Sequence, residues 1–243
     1  MQEDKPKPTQ RNRTGPLNTC YHPDNRWEIG VDEAGRGPLF GRLYVAATIL
    51  PKDQSFRHDW MKDSKRFSSH KKIREVAEYI KTNAVAWTVR FCEAEVIDEI
   101  NIRQAVLKTM RECCADLIER IRSRQHDSMD GICLLIDGND FPAYTVFDTN
   151  TETLVEIESH TVEGGDNQYT CIAAASILAK VARDDWIDEL CAEFPCLSEW
   201  YGIGKNKGYG TAEHMRGIRE RGITAWHRRS YGPCKTSTLV DVT

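Results

Sequence analysis

An uninterrupted apolar run that ends in an acid limits the fold more than any other feature of this sequence. Residues 131–140 read "GICLLIDGND", so every position from Ile132 to Ile136 is apolar and Asp137 follows at once. A strand with one face exposed to solvent alternates polar and apolar residues, whereas an unbroken apolar run is typical of a central strand covered on both faces. The sequence therefore predicts a sheet with packed layers on each side.

Other patterns place further elements around this strand. Strands are predicted at "RWEIGVDEAG", at "RLYVAATILP", at "AVAWTVRFCEA" and, less regularly, near "TLVEIES". Helical spacing predicts helices over residues 69–82, 101–124, 171–194 and 211–221. Hairpin strands come first and helix-linked strands later, which indicates a mixed sheet with helices on its faces. The predicted fold class is α/β.

The length of 243 residues suits one well-buried domain. Residues 1–25 are polar and without period, so we expect a disordered N-terminal tail, and residues 236–243 are expected to be a short polar tail. No apolar run approaches the roughly 20 residues of a membrane helix, and the N-terminus lacks the apolar core of a signal peptide. We therefore expect no membrane partner. A cytosolic or nuclear setting fits these features, and we predict the cytoplasm.

The cysteines and the charges narrow the function classes. Nine cysteines occur without a CxxC pair or a histidine at zinc-ligand spacing, and we interpret them as reduced, mostly buried thiols. A net charge of -4 counts against a protein that coats nucleic acid through bulk attraction. Lysines and arginines nevertheless outnumber acids in residues 57–74 and 201–235. These stretches indicate a polyanion bound at a defined site or, alternatively, solvated helix faces.

Acidic residues stand where the predicted elements end. Asp32 and Glu33 close a strand before Gly35 and Gly37, and we expect the chain to bend there so that both acids serve one site. Asp137 ends the central strand, although "DGN" also suits a tight turn. A fourth acid, Asp166, precedes the alanine-rich helix, where it could instead cap the helix start.

Carboxylates without histidine or cysteine are hard oxygen ligands, which select Mg²⁺ or Mn²⁺ over zinc. Beside basic stretches, the chemistry they favour is phosphodiester hydrolysis by two ions about 4 Å apart. The residues by themselves therefore predict a metal-dependent nuclease.

Seven sequence blocks resemble type 2 ribonuclease H, ribonuclease HII, in that family's order and spacing. They are "DEAGRGPL", "DSKR", "NIRQAVLKTM", "LLIDGN", "GGD" with "IAAASILAKVARD", "NKGYGT..H" and "HRRSYGP". The resemblance implies a ribonuclease H-like fold over residues 26–235, with a mixed five-stranded sheet flanked by helices and a C-terminal helical extension. It also implies that the catalytic, metal-binding acids are Asp32, Glu33, Asp137 and Asp166.

The resemblance further implies the substrates and the residues that contact them. Members of the family cut the RNA strand of RNA–DNA hybrids and nick duplex DNA on the 5′ side of an embedded ribonucleotide, leaving a 3′-hydroxyl and a 5′-phosphate. The loop Gly35, Arg36 and Gly37 would read the 2′-hydroxyl through backbone groups, and Tyr209 would pack on the next sugar. Phosphate contacts are expected from Lys65, Lys180, Arg183, Arg228 and Arg229.

Some of these residues have other interpretations. Tyr209 could be a partly buried aromatic, and Lys180 and Arg183 could snorkel from a buried helix or pair with Asp184 and Asp185. Three positions depart from the family's usual pattern: Gly164 replaces a lysine, Arg42 a proline and Phe67 a leucine. No glutamine-led sliding-clamp peptide ends the chain. We expect a monomer.

Two rival functions are a type 1 ribonuclease H and a non-catalytic nucleic-acid-binding subunit. The first would lack the Tyr209 block and the Gly-Arg-Gly loop. The second would be expected to lose at least one of the four acids, and none is missing. Arg36 stands where the related ribonuclease HIII usually carries lysine, which favours HII.

Overall fold

The computed structural model describes residues 15–124, 131–149 and 151–242. Its centre is one mixed sheet of six strands in the order β3-β2-β1-β4-β6-β5. The strands are β1 (Trp27–Ala34), β2 (Leu43–Ile49), β3 (Ala86–Cys92), β4 (Ile132–Asp137), β5 (Tyr144–Asp148) and β6 (Thr153–Val162). The α/β class is as predicted, but the sheet has one strand more than the expected five.

The strand directions follow from the connections. β1, β2 and β3 form an antiparallel meander, while β1, β4 and β6 run parallel. β5 joins the outer side of β6 as an antiparallel hairpin. β4 therefore lies inside the sheet, and residues 132–136 are buried as their apolar run predicts.

Seven α-helices surround this sheet in the described part of the chain. They are α1 (His70–Asn83), α2 (Ala94–Ile100), α3 (Ile102–Arg124), α4 (Thr170–Glu193), α5 (Cys196–Tyr201), α6 (Ile203–Asn206) and α7 (Ala212–Arg221). α3 packs on one face with Ile29, Val31, Leu134 and Ile136. α1 and α4 cover the other face, where Cys133 and Leu135 are buried. α5 to α7 form a C-terminal extension around a third apolar cluster.

α4 lies unusually close to β1 because both surfaces carry small residues. An ideal Cβ added to Gly30 would lie 2.4 Å from the backbone carbon of Cys171. Ala173, Ala174 and Ala175 are fully buried in the same region. The short distance brings the first turns of α4, with Ser176, close to the part of β1 that carries Asp32.

Both predicted tails reach the domain where they are described. Residues 1–14 lie outside the described residues, but Asn18 N–H donates to the Gln168 carbonyl at 2.8 Å and Tyr21 stacks on His160. At the other end, Val240 N–H donates to the Ile223 carbonyl at 2.7 Å. The described parts of both tails are therefore packed against the domain.

Among the described residues, no helix combines the length and apolarity needed to cross a membrane.

Candidate active site

Three carboxylates meet where β1 and β4 stop pairing. The parallel pairing of these strands ends at Val31 and Ile136, whereas β1 continues beside β2 as far as Ala34. Beyond that point the sheet opens, and carboxylate oxygens of Asp32, Glu33 and Asp137 lie within 4.8 Å of one another. The opening lets side chains from both faces reach one site.

The chain does not bend between the two adjacent acids, contrary to the sequence prediction. Both belong to β1, with Asp32 opposite Ala46 and Glu33 opposite Val45. The bend comes after them, at Gly35, whose φ is +100°. Asp32 Oδ1 accepts the backbone N–H of Glu33 at 2.7 Å, which holds that carboxylate against its own strand.

The other two acids are positioned by the turn that precedes α4. Asp137 Oδ1 accepts the N–H of Gly165 at 2.7 Å, so its side chain points from the end of β4 toward the 3-10 helix Gly165–Asn167. Asp166 lies within this short helix and is buried. The alternative role of Asp166 as a helix cap is wrong, because Tyr169 precedes α4 and no side chain caps it.

Burial and mutual repulsion raise the pKa values of these acids. For Asp32 the causes are burial, then the charges of Asp137 and Glu33, and its pKa lies well above the usual value. Burial, followed by the charge of Asp63, raises the pKa of Asp166 to about 6. The Lys65 ammonium opposes part of these shifts at Glu33, Asp137 and Asp166. Clustered oxygen donors whose charge is not neutralised by the protein fit a divalent cation.

Two buried serines support the cluster, and sequence reasoning missed both. The Ser64 and Ser176 hydroxyls lie 3.1 Å apart, and a hydrogen bond from Ser176 favours the ionised form of Asp32. Ser64 belongs to "DSKR" and Ser176 to "IAAASILAKVARD", so the motifs carried the signal. These hydroxyls link the loop that carries Lys65 to the metal-ligand candidate Asp32.

Two residues predicted to contact phosphates are buried instead. Arg183 is 2% exposed and Arg228 is 0% exposed. Arg228 donates to the carbonyls of Gly35 at 2.6 Å and Arg36 at 3.1 Å, and Arg183 donates to the Arg42 carbonyl at 3.2 Å. The prediction that these two arginines bind phosphate is therefore wrong. Both lie inside the domain, where they bind backbone carbonyls of the loop at residues 35–42.

Among the remaining substrate-binding candidates, Gly35 is buried, whereas Arg36, Gly37 and the side chains discussed next reach the surface. Tyr209 is 50% exposed, and a Cβ built on Gly37 would lie 3.7 Å from its ring, so tyrosine and loop are neighbours. Lys65 and Arg229 are exposed. The Lys180 ammonium pairs with Asp184 at 2.7 Å, as its alternative interpretation proposed.

Comparison with known proteins gives the family. The family model described as Ribonuclease HII matches residues 29–234. This chain belongs to the ribonuclease HII family. Ribonuclease HII of Phocaeicola vulgatus is 40% identical over 216 residues, 88% of this chain and 94% of that protein. Ribonuclease HII of Bacteroides fragilis strain YCH46 is 42% identical over 205 residues, 84% and 88% of the two chains.

Solved structures show the same fold. Ribonuclease HII in its complex with PCNA from Archaeoglobus fulgidus matches with a TM-score of 0.61 at 24% identity, over 85% of this chain and 95% of that one. Ribonuclease H2 from Pyrococcus horikoshii OT3 matches with a TM-score of 0.58 at 21% identity, over 86% and 95%. As a ribonuclease HII, the protein is a divalent-metal-dependent type 2 ribonuclease H, an endonuclease for RNA–DNA hybrids.

The three departures from the family pattern have different structural settings. Gly164 has a φ of +65°, a conformation that favours glycine, and it directly precedes the helix that carries Asp166. Arg42 pairs with Glu93 at 2.7 Å and stacks on Phe91 and Trp186. The Lys62 ammonium lies 4.4 Å from the ring centre of Phe67. Arg42 therefore contributes to packing at the surface.

Proposed function

We propose that this ribonuclease HII hydrolyses the phosphodiester on the 5′ side of a ribonucleotide by a two-metal mechanism, leaving a 3′-hydroxyl and a 5′-phosphate. The observation that carries the proposal is the meeting of Asp32, Glu33 and Asp137 beside the bend at Gly35. The loop that begins at Gly35 can thus recognise a ribose, while the end of β1 presents carboxylates to the neighbouring phosphate. Isolated ribonucleotides in duplex DNA and continuous RNA strands are both proposed substrates.

Asp32, Glu33, Asp137 and Asp166 would hold the divalent ions. When bound, the ions would activate a water and stabilise the leaving oxygen. The protein's own part is to hold the carboxylates close together and to limit the rise in their pKa values. Lys65 assists because its ammonium lowers the pKa values of three of them. Ser176 assists at Asp32 through its hydrogen bond. Carboxylate donors suit both Mg²⁺ and Mn²⁺, and we propose that either ion supports cleavage.

The ribose would be recognised by backbone groups of Gly35, Arg36 and Gly37. Among the backbone hydrogen bonds of turns and loops in the described part of the chain, none is donated by the N–H groups of these three residues. They can therefore serve a ligand oxygen, and the 2′-hydroxyl distinguishes RNA from DNA. Gly37 has no side chain to keep a sugar away, and the ring of Tyr209 lies next to it.

Exposed cations would hold the phosphates on either side of the cut. Lys65 and Arg229 fit this role because both are exposed. Lys180 would contribute less, since Asp184 neutralises it.

We also propose that the enzyme acts as a monomer in the cytoplasm. All nine cysteines are free thiols, which agrees with a reducing compartment.

The proposal is tested with two 5′-labelled substrates, a DNA duplex that holds one ribonucleotide and a duplex with a continuous RNA strand. We expect the wild-type protein to nick the first on the 5′ side of the ribonucleotide in Mg²⁺ and in Mn²⁺. The product should be extended by a DNA polymerase, which requires a 3′-hydroxyl. Cleavage of the continuous hybrid alone, with both metals, would overturn the single-ribonucleotide specificity and favour a type 1-like nuclease.

A further inference from the structure

The buried guanidinium groups of Arg183 and Arg228 bind the loop at residues 35–42 from the interior of the domain. Arg228 donates to four of its carbonyls, at distances between 2.6 and 3.1 Å. These carbonyls belong to Gly35, Arg36, Pro38 and Gly41. The carbonyl oxygens are thus turned inward onto a cation, while Arg36 and Gly37 lie at the surface.

Arg183 differs from Arg228 because it binds two loops. Its Nε donates to the Arg42 carbonyl at 3.2 Å, and its Nη2 donates to the Phe40 carbonyl at 3.2 Å and to the Lys207 carbonyl at 2.9 Å. Lys207 lies two residues before Tyr209. A single side chain therefore connects the loop that carries Gly35 to the loop that carries Tyr209.

The fit around Arg183 leaves room for little else. A Cβ on Gly35 would lie 2.4 Å from Arg183 Nε. A Cβ on Gly208 would lie 2.9 Å from the Phe40 carbonyl oxygen and 3.5 Å from Arg183 Nη2. A direct backbone bond, from Leu39 N–H to the Gly208 carbonyl at 2.9 Å, joins the same two loops. The contact between the loops is tight and depends on glycine on both sides.

Burying these cations is costly. Burial and the neighbouring Arg228 lower the pKa of Arg183 to about 10. Among the described residues, the hydrogen-bond partners of Arg183 are backbone carbonyls, with no carboxylate. A buried charge without an ion partner is retained only where its hydrogen bonds offset the lost hydration. Here those bonds fix the relative position of two loops.

We propose that Arg183 is a positioning residue that couples the Gly-Arg-Gly loop to Tyr209 and thereby sets the preference for an isolated ribonucleotide. This inference rests on the proposed function. Cleavage at a single ribonucleotide requires the loop and Tyr209 to engage adjacent sugars in one register. A continuous RNA strand offers several registers, so it tolerates a loose relation between the two loops.

Arg183→Lys tests the coupling because a lysine keeps the charge but has no Nε donor and cannot span the Arg42 and Lys207 carbonyls. We expect the cleavage rate on the single-ribonucleotide duplex, divided by that on the continuous hybrid, to fall about fivefold or more, within the usual range for coupled sites. Tyr209→Ala should lower the same ratio. In the double variant the two effects should not multiply, since both act through one element.

Arg228→Lys and Tyr201→Phe are the matched controls. Among the described residues, the Arg228 guanidinium bonds carbonyls of the first loop and the Tyr231 hydroxyl but nothing in the loop that carries Tyr209. Arg228→Lys should therefore slow both substrates and leave their ratio unchanged. The Tyr201 hydroxyl donates to the Gly222 carbonyl at 3.1 Å, and Tyr201→Phe removes that hydroxyl alone, so it reports the loss of one hydrogen bond made to neither loop. Circular dichroism and thermal melting establish that each variant is folded. If Arg183→Lys does not fold, Gly208→Ala perturbs the same contact from the Tyr209 side and should lower the ratio.

An unchanged ratio in a folded Arg183→Lys protein would overturn the coupling. So would effects of Arg183→Lys and Tyr209→Ala that multiply independently. A wild-type protein that leaves the single-ribonucleotide duplex uncut would instead overturn the proposed function.

Discussion

At the scale of single residues, the site is dominated by negative charge that the protein does not neutralise. Asp32 is 5% exposed, and its neighbours Glu33 and Asp137 carry the same sign. Lys65 and Arg36 lie near enough to ease the repulsion at Glu33 but do not cancel it. Such a cluster costs stability in the free protein and gains it back when cations bind.

Asp32→Asn should therefore separate activity from stability. We expect cleavage of the RNA–DNA hybrid in Mg²⁺ to fall by at least about tenfold, because a metal ligand is lost. Without metal the melting temperature should rise by roughly a few degrees, because one repelling charge is removed. A nuclease assay and a thermal melt with chelator measure the two effects.

The control for this variant is Asp116→Asn. Its carboxylate bonds Arg90 at 2.8 Å, and that bond is the main cause of its lowered pKa. This substitution should lower the melting temperature and leave cleavage unchanged. If Asp32→Asn retains more than roughly a tenth of the wild-type turnover, Asp32 is not a metal ligand.

At the scale of elements, the contact between α4 and β1 positions the site. Gly30 and Asp32 lie on the same side of β1, the side that faces α4, because side chains alternate along a strand. Any side chain at residue 30 would push the helix away at Cys171. The helix also carries Ser176, which bonds Asp32, so its displacement would disturb a carboxylate directly.

Gly30→Ala should destabilise the protein by roughly 1–3 kcal/mol, the usual cost of overpacking a core. The added Cβ would meet backbone atoms at 2.4 Å, which cannot rotate away. Urea unfolding measures the change. Gly15→Ala is the matched control, because a Cβ there would meet nothing within 4 Å and its free energy of unfolding should hardly change. Equal stability of the two variants would show that α4 can move without cost.

The sequence allows the buried parts of this sheet to be predicted, and the exposed parts less well. β4 and the acids stand out because unbroken apolar runs end in carboxylates. β5 was missed because it is a short edge strand in which Thr145 and Phe147 face solvent. Six strands therefore replace the expected five. The short helices α2, α5 and α6 were missed for a similar reason, since fewer than eight residues give little periodicity.

The two buried arginines could not be recognised from sequence. Their partners are backbone carbonyls, which every residue carries, so no complementary residue type marks them. In "KVARD" and "HRRSYGP" they look like surface cations beside other cations. Only the fold distinguishes Arg228, which is buried, from its neighbour Arg229, which is exposed.

At the scale of the whole molecule, a histidine pair contributes to holding the C-terminal extension on the domain. His214 Nε2 and His227 Nε2 lie 3.0 Å apart, and the ring of His227 packs edge-on against Phe40. Burial, followed by the charge of His214, lowers the pKa of His227 to about 3. Burial also lowers the pKa of His214. The folded protein thus keeps both rings neutral.

The extension should therefore loosen in acid. In the unfolded chain His227 takes up a proton near pH 6.5, whereas in the folded protein it does so only near pH 3. The unfolded state binds more protons in that window, so the stability contributed by this group is present above pH 6.5 and is lost as pH falls. We expect the free energy of unfolding to be higher for the wild type than for His227→Gln. This difference should be smaller at pH 5 than at pH 7.5.

Urea unfolding in chelator, at both pH values, measures this difference between the two proteins. The carboxylates of the active site act in the opposite direction, because their raised pKa values stabilise the metal-free fold as pH falls through about 6. Both proteins carry these carboxylates, so subtracting one free energy of unfolding from the other removes their contribution. A difference that does not change with pH would mean that His227 is protonated equally in the folded and unfolded states.

The most direct test of the central claim is where manganese binds. Crystals soaked in Mn²⁺ give an anomalous signal that locates the ion independently of the protein density. We predict manganese in direct contact with carboxylate oxygens of Asp32 and Asp137, with Glu33 and Asp166 completing the ligands of this site. Manganese bound elsewhere at saturation, with no ion in contact with these four carboxylates, would contradict the account.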